Sequence, residues 1–338
     1  MRPRPQAVLC LVTMLGLLAP ALVAGQSAGE GWMLPRTPDG HPDLQGVWAN
    51  NNATPLERPE AWADKETLTA EEVAALEVAA ASAVGDGDAL FGDQLVLAAV
   101  AGIEATSYDP TTGNYNQFWV AERDFTKQTS LVIDPPDGRI PDATPEAQER
   151  IRATAASRRA HPADTYTDRP LQERCVSYGV PRLGAGYNSY YQVFQSATHV
   201  VIMHEMIHDA RVIPIDGQTH LTDSVRQLHG DSRGHWEGDT LVIETTNYSR
   251  DASFRGASNN LHMVERLTRV GPTTLDYEIT LTDALTWARP WTVMIPLKGT
   301  EDPIFEYACH EGNIGMEGIL GGHRSEERAE AAAESDSK

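Results

Sequence analysis

The clearest pattern lies in the second half of the chain. From Tyr190 onward, apolar and polar residues alternate in short runs, the period of a strand with one buried face. The runs cover Tyr190 to Gln195, His199 to Glu205, Arg211 to Ile215, Thr240 to Thr246, His262 to Val270, Thr274 to Leu281, Trp291 to Pro296 and Ile304 to Tyr307. Turn residues such as Glu237-Gly238-Asp239 and Gly271-Pro272 join them, because glycine and proline adopt the backbone angles that reverse a chain. Close spacing of such strands predicts a mainly β fold, an antiparallel meander forming a barrel or a half-open sheet.

The first half reads differently. One short apolar element, Gly46-Val47-Trp48, stands in a stretch rich in Pro, Asn and Asp, and Trp48 is expected to seal a core. Thr69 with Glu72 three residues on makes a capping box, which starts a helix over about 69–84. Gly85-Asp86-Gly87-Asp88 ends it, and a second weak helix or apolar segment is expected from Leu90 to Ile103. Strand-like runs follow at Asn116 to Glu122 and Ser130 to Asp134, closed by Pro135-Pro136-Asp137-Gly138. Thr144-Pro145-Glu146 then starts a helix over 145–160, with Thr as cap and Pro at the first helical position. Its arginines, Arg150, Arg152, Arg158 and Arg159, are expected on a solvated face.

Composition adds the compartment. Arg2 and Arg4 precede an apolar run from Ala7 to Val23 and then small residues, so residues 1–25 read as a secretory signal peptide. A single β-rich domain is expected over 26–323, followed by a solvated acidic tail over 324–338. The net charge is -21, and loss of Arg2 and Arg4 would leave -23. Such a surface repels nucleic acid and anionic membranes, so a small molecule is the expected partner. Cys175 and Cys309 remain after the signal peptide, and in an oxidising periplasmic or extracellular compartment a pair of cysteines is most simply a disulfide.

The candidate chemistry begins at His204-Glu205-Met206-Ile207-His208, which spells H-E-x-x-H. On a helix this pattern places two zinc ligands and a general base on one face. The flanks are rich in β-branched residues and end at Pro214, which is strand chemistry. In a strand, His204 and His208 share one face, while Glu205, Asp209 and Arg211 share the other. The chain just beyond His208 also lacks the glycine that the extended zinc motif needs. A zinc hydrolase using His204 and His208, with His310 or a carboxylate completing the site, is the alternative; the favoured reading has no cofactor.

That reading groups Glu205, His208, Asp209 and Arg211 at a bend between strands. A carboxylate beside a histidine and an arginine can hold, orient and neutralise what general acid/base catalysis moves. Glu205 or Asp209 would be the base, His208 the acid, and Arg211 or Arg233 the partner of an oxyanion. A second cluster, His229, Asp231, Arg233 and His235, reads as a polar loop at a barrel rim, with Asp231 and His235 contacting substrate. A third is Cys309-His310-Glu311, whose disulfide to Cys175 would bring the glycine-rich segment from Gly179 to Gly186 nearby. The overlapping segment Gly184 to Tyr191 offers three tyrosines and Asn188, with Tyr187, Asn188 and Tyr190 as the expected contacts, giving flat faces and polar tips for a sugar or aromatic ligand.

R-T-P-D-G-H-P-D-L-Q-G-V-W (Arg36 to Trp48), E-M-I-H-D-A-R (Glu205 to Arg211), W-E-G-D-T-L-V-I-E-T-T-N-Y (Trp236 to Tyr248), V-E-R-L-T-R-V (Val264 to Val270) and Y-A-C-H-E-G-N (Tyr307 to Asn313) are similar to a family of exported bacterial proteins. That resemblance implies no activity. The G-V-W entry into a long meander also loosely resembles the lipocalin-like (calycin) barrels, which implies a cavity and carries over no catalytic residue. The expected function is an exported cavity enzyme acting on a small organic or carbohydrate-like substrate, as a lyase, isomerase or hydrolase. A zinc hydrolase and a non-catalytic periplasmic binding protein are the alternatives.

Overall fold

The computed structural model describes residues 31–83, 94–101, 123–185, 187–250 and 254–336. Its frame is one antiparallel sheet of ten strands, mainly β as the alternation predicts. The strands are β1 (Gly46–Ala49), β2 (Val132–Asp134), β3 (Tyr190–Gln195), β4 (His199–His204), β5 (Ala210–Pro214), β6 (Asp231–Glu237), β7 (Thr240–Thr246), β8 (His262–Gly271), β9 (Thr274–Thr282) and β10 (Trp291–Thr300). Their order is β5-β4-β3-β1-β10-β9-β8-β7-β6, with β2 pairing on β10 beside this path. Two meanders, β3 to β5 and β6 to β10, are thus joined through β1, where Trp48 lies opposite Tyr191 on one side and Gly299 on the other.

The sheet curls so that its end strands approach without a ladder between them. A Cβ on Gly234 of β6 would come 2.7 Å from Ile215 and 3.2 Å from Ile213, beside β5. Glycine stands there because a larger side chain would hold the two edges apart. The sheet is therefore half-open and not a closed barrel.

The inward faces form the core. Val193, Val200, Ile202, Ile213, Leu241, Ile243, Met263, Leu267, Leu275, Ile279, Leu281, Trp291, Val293, Ile295 and Leu297 are nearly all fully buried and mostly alternate with more exposed neighbours, Val242 and Thr292 being buried as well. Burial of each such side chain contributes roughly 1.5–3 kcal/mol, so the meander holds without the edge ladder. Trp48 is buried, as expected, and donates its indole N–H to the Leu44 carbonyl at 2.9 Å.

Helices lie outside the sheet: α1 (Ala70–Ala83), α2 (Gln94–Ala101), α3 (Pro145–Ala160) and α4 (Ile314–Asp336). The capping box at α1 is present, with Thr69 N–H on Glu72 at 2.9 Å and Glu72 N–H on Thr69 Oγ1 at 3.2 Å. Thr144 caps α3 through the Ala147 N–H at 3.1 Å. The α3 arginines are not all solvated: Arg150 donates to the Gly256 carbonyl and Thr286 Oγ1, which pins the helix to the sheet's end. No helix among the described residues is long and apolar enough to cross a membrane.

Some expectations change. Residues 304–307 form no strand; they run as an irregular strap held from both sides. The Phe305 N–H donates to Glu205 Oε1 at 3.0 Å, and the expected disulfide joins Cys175 to Cys309. Residues 324–336 of the acidic tail form the second half of α4, whose alanines and glutamates are strong helix formers. The polar loop expected at 229–236 is mostly the edge strand β6, with the small Ser232 and Gly234 at inward positions where β5 comes close and Trp236 packing on the core beyond them. The expected strand at 116–122, and the expected turn at 85–88, lie outside the described residues.

Candidate functional site

A pocket opens where β3, β4 and β5 meet the segment 179–182. It is a small cleft, open in part to solvent, lined by Gly179, Val180, Pro181, Arg182, Tyr191, Ile202, His204, Asp209, Arg211 and Tyr277. Strand alternation supplies its walls: Tyr191 on β3, Ile202 and His204 on β4 and Arg211 on β5 all point inward.

His204 is the last residue of β4 and is 7% exposed. Its Nδ1 accepts the Met206 N–H at 3.2 Å. Nδ1 also lies 3.5 Å from the Met206 carbonyl; the shorter contact is the one from the amide, which can only donate, and it assigns the proton of the neutral ring to Nε2. Nε2 is buried and has no hydrogen-bond partner. Burial, reinforced by the positive charge of Arg182, lowers the imidazole's pKa from 6.5 to about 3, so the ring stays neutral at physiological pH. Tyr191 packs edge-on against it at 4.8 Å between centroids.

Arg182 sits over the Tyr178 ring at 4.3 Å. Its Nη2 donates to the Tyr187 carbonyl at 3.2 Å and to Ser189 Oγ at 3.1 Å, while Nε and Nη1 are buried without an acceptor. Its backbone carbonyl accepts the Tyr191 hydroxyl at 2.8 Å. Burial lowers the guanidinium's pKa, against the opposing influence of Tyr191 and Tyr178.

Arg211 is engaged differently. Its two terminal nitrogens each reach a Glu265 oxygen at 2.7 Å, and Tyr277 donates a short hydrogen bond to the same carboxylate. Glu265 is fully buried. Burial, and next the negative charge of Glu265, raise the Tyr277 hydroxyl well above its ordinary value, so it remains a donor. This network closes the pocket's floor with its own groups satisfied.

At the rim, Asp209 Oδ2 accepts from Ser177 Oγ and from the Tyr178 N–H, both at 3.0 Å, and Oδ1 lies 3.7 Å from His229 Nε2. Ser177 Oγ also accepts the Gly179 N–H at 2.8 Å and meets His229 Nε2 at 2.7 Å. The same imidazole nitrogen is thus hydrogen-bonded to the serine and faces the aspartate from beyond hydrogen-bonding distance. A nucleophilic triad needs the two ring nitrogens divided between them, so Ser177 is an anchor for the rim. Burial lowers the pKa of His229, partly opposed by Asp209.

The grouping expected at the bend is dispersed. β4 ends at His204, and Ile207 and His208 take positive φ of 60° and 46°. This turn resets the alternation, so Arg211 returns to the same inward side as His204 and the expected division of faces does not hold. Glu205 holds the strap, and His208 is exposed with its ring 6.5 Å from His310. Asp209 and Arg211 alone of that set line the pocket. His204 and His208 therefore occupy different environments. The group of metal-ligand side chains within reach of one ion among the described residues is instead Asp164, His323 and Glu327, at the surface.

The second cluster faces outward from β6. Asp231 binds His220 Nδ1 at 3.0 Å, the Leu221 N–H at 2.8 Å and Arg233 at 3.0 Å, while the exposed His235 pairs with Glu237 at 3.2 Å. Of the expected ligand contacts, Tyr187 touches the site through its carbonyl on Arg182, Asn188 turns the chain with φ 46°, and Tyr190 points away from Tyr191's face. Tyr191, one of the three tyrosines of the segment 184–191, lines the pocket, whereas Arg182, Glu265 and Tyr277 were not singled out by the sequence, although a glutamate among Met263 and Leu267 on one strand face is itself a sign of a buried partner.

Compared with protein families, curated proteins and solved structures, the chain has no significant match.

Proposed function

We propose that this is an exported protein, periplasmic or secreted, that holds a small organic molecule in the pocket beside His204. The observation that supports it is the buried, unpartnered Nε2 of a pocket-lining imidazole. Buried polar atoms are nearly always hydrogen-bonded, and this one faces a concavity that other polar groups border. The disulfide fits an oxidising compartment. Binding is the primary reading because an imidazole with a pKa near 3 is a poor general base at neutral pH, where catalysis favours a value near the working pH.

A second reading is turnover by acid/base chemistry at the rim. Asp209 and the neutral His229 stand beside the pocket as a carboxylate and an imidazole, the pair needed to take and return one proton in a lyase, isomerase or hydrolase.

Ligand-observed NMR screening of small organic molecules against the wild-type protein and His204→Phe separates these cases. Under the binding reading, hits compete with one another and are lost in the variant while its circular dichroism is unchanged. Hits retained by His204→Phe place the ligand elsewhere and reject the reading. Turnover of a hit that stops in Asp209→Asn, with affinity preserved, establishes the second reading.

A further inference from the structure

The free polar positions of the pocket have one polarity. His204 presents Nε2–H, and Arg182 presents Nε–H and Nη1–H, all buried and all without acceptors. Arg182 forms no ion pair with a carboxylate among the described residues, whereas the neighbouring Arg211 has Glu265. A buried cation without a counter-charge is costly, and donors without acceptors add to that cost. A group that both accepts hydrogen bonds and carries negative charge relieves both at once.

The rim has the opposite character. Asp209 spends Oδ2 on Ser177 and Tyr178, and its Oδ1 lies beyond hydrogen-bonding distance of His229. An anion beside this carboxylate is repelled, and a hydroxyl there finds an acceptor. The two ends of the pocket thus call for different groups on one small molecule.

We infer that the ligand is a small hydroxy acid, its carboxylate on His204 Nε2–H and the free N–H groups of Arg182, and a hydroxyl turned toward Asp209. This rests on the pocket reading above and names the chemistry of its occupant. Tyr191 and Tyr277 do not compete for it, since Tyr191 is engaged by the Arg182 carbonyl and Tyr277 by Glu265, while Tyr178 already lies against the Arg182 guanidinium. The small, partly open space favours the most compact acids, such as lactate, and a uronic acid would extend from it into solvent.

The test uses the whole mature protein at pH 7.5 and low salt. Calorimetric titrations with lactate and glucuronate are compared with their neutral counterparts, propane-1,2-diol and glucose. In parallel, long-range proton–nitrogen spectra of histidine-labelled protein follow the His204 Nε2 resonance. The expected result is affinity for at least one acid tenfold or more above its neutral counterpart, a shift of the Nε2 resonance on adding that acid, and loss of the preference in Arg182→Gln. If Arg182→Gln does not fold, having lost its bonds to Tyr187 and Ser189, the wild-type titrations and spectrum decide. A neutral counterpart that binds as tightly and moves the same resonance overturns the carboxylate assignment and leaves the pocket reading in place. Absence of any heat or shift with all four probes rejects the hydroxy-acid assignment, and the broader pocket reading then stands or falls by the competition screen.

Discussion

Arg211 and Glu265 meet across the interior of the sheet as a two-point ion pair, with both contacts at 2.7 Å. Arg211 belongs to an edge strand and Glu265 to β8, far from it in the hydrogen-bonded order. The pair therefore ties together parts of the sheet that no ladder connects. Removing one partner leaves a buried charge alone, so Glu265→Gln or Arg211→Met is expected to lose about 3–5 kcal/mol. The double variant Arg211→Met/Glu265→Leu should lose less than either single change. Urea denaturation measures all three, and additive losses in the double variant would contradict this account.

Stability should fall on mild acidification. His204 titrates near 6.5 when unfolded and near 3 when folded. Between these values the unfolded chain binds a proton that the folded one does not. The contribution is complete above pH 6.5 and declines as the pH drops toward 3, by up to about 1.4 kcal/mol per unit. His229 is shifted in the same direction. Unfolding free energies from urea curves at pH 7.5 and 5 should differ by about 2 kcal/mol more in wild type than in His204→Gln; equal differences would reject this assignment.

Reduction of the disulfide should release the strap before the sheet. The bond spans a sequence separation of 134 residues and anchors the segment that Glu205 holds. Its loss is expected to cost about 2–5 kcal/mol and to open residues 303–313 to proteases. Limited proteolysis with and without dithiothreitol, read by mass spectrometry, checks this. Cleavage that begins within β6 to β10 instead would show that the disulfide stabilises the core directly.

Gly234→Ala should destabilise through crowding. The added methyl would meet Ile215 at 2.7 Å and Ile213 at 3.2 Å, an overpacking of the kind that costs about 1–3 kcal/mol. Ile215→Ala in the same chain should recover part of that loss. Thermal melts of the single and double variants give the comparison, and a neutral single variant would mean that the edges are freer to separate than their contact suggests.

Much of the sheet was legible because alternation survives wherever one face is buried. β3 and β7 stand at their expected bounds, and β4, β8 and β9 differ by a residue or so at an end. β6 was missed because proximity to β5 demands serine and glycine where bulky residues usually mark a strand. The site was less legible. Parity along 204–211 fails at the left-handed turn of Ile207 and His208, which no local composition announces. Arg182 and Glu265 acquire meaning only from partners that folding brings to them, and a list of polar clusters along the chain favours neighbours in sequence over neighbours in space. The disulfide was readable because so few cysteines leave little choice.

The position of β1 has a consequence for how the molecule is made. The ribosome delivers this strand early, yet Val47 pairs with Gln192 on one side and with Thr300 on the other. The two meanders can each zip up from local hairpins, while the strand between them must wait, unpaired and carrying Trp48, until nearly the whole chain has arrived. Contacts so distant in sequence slow folding and leave edges exposed meanwhile. The keystone is cut first and set last, and until it is set the arch of strands has a gap that another chain's strand could enter.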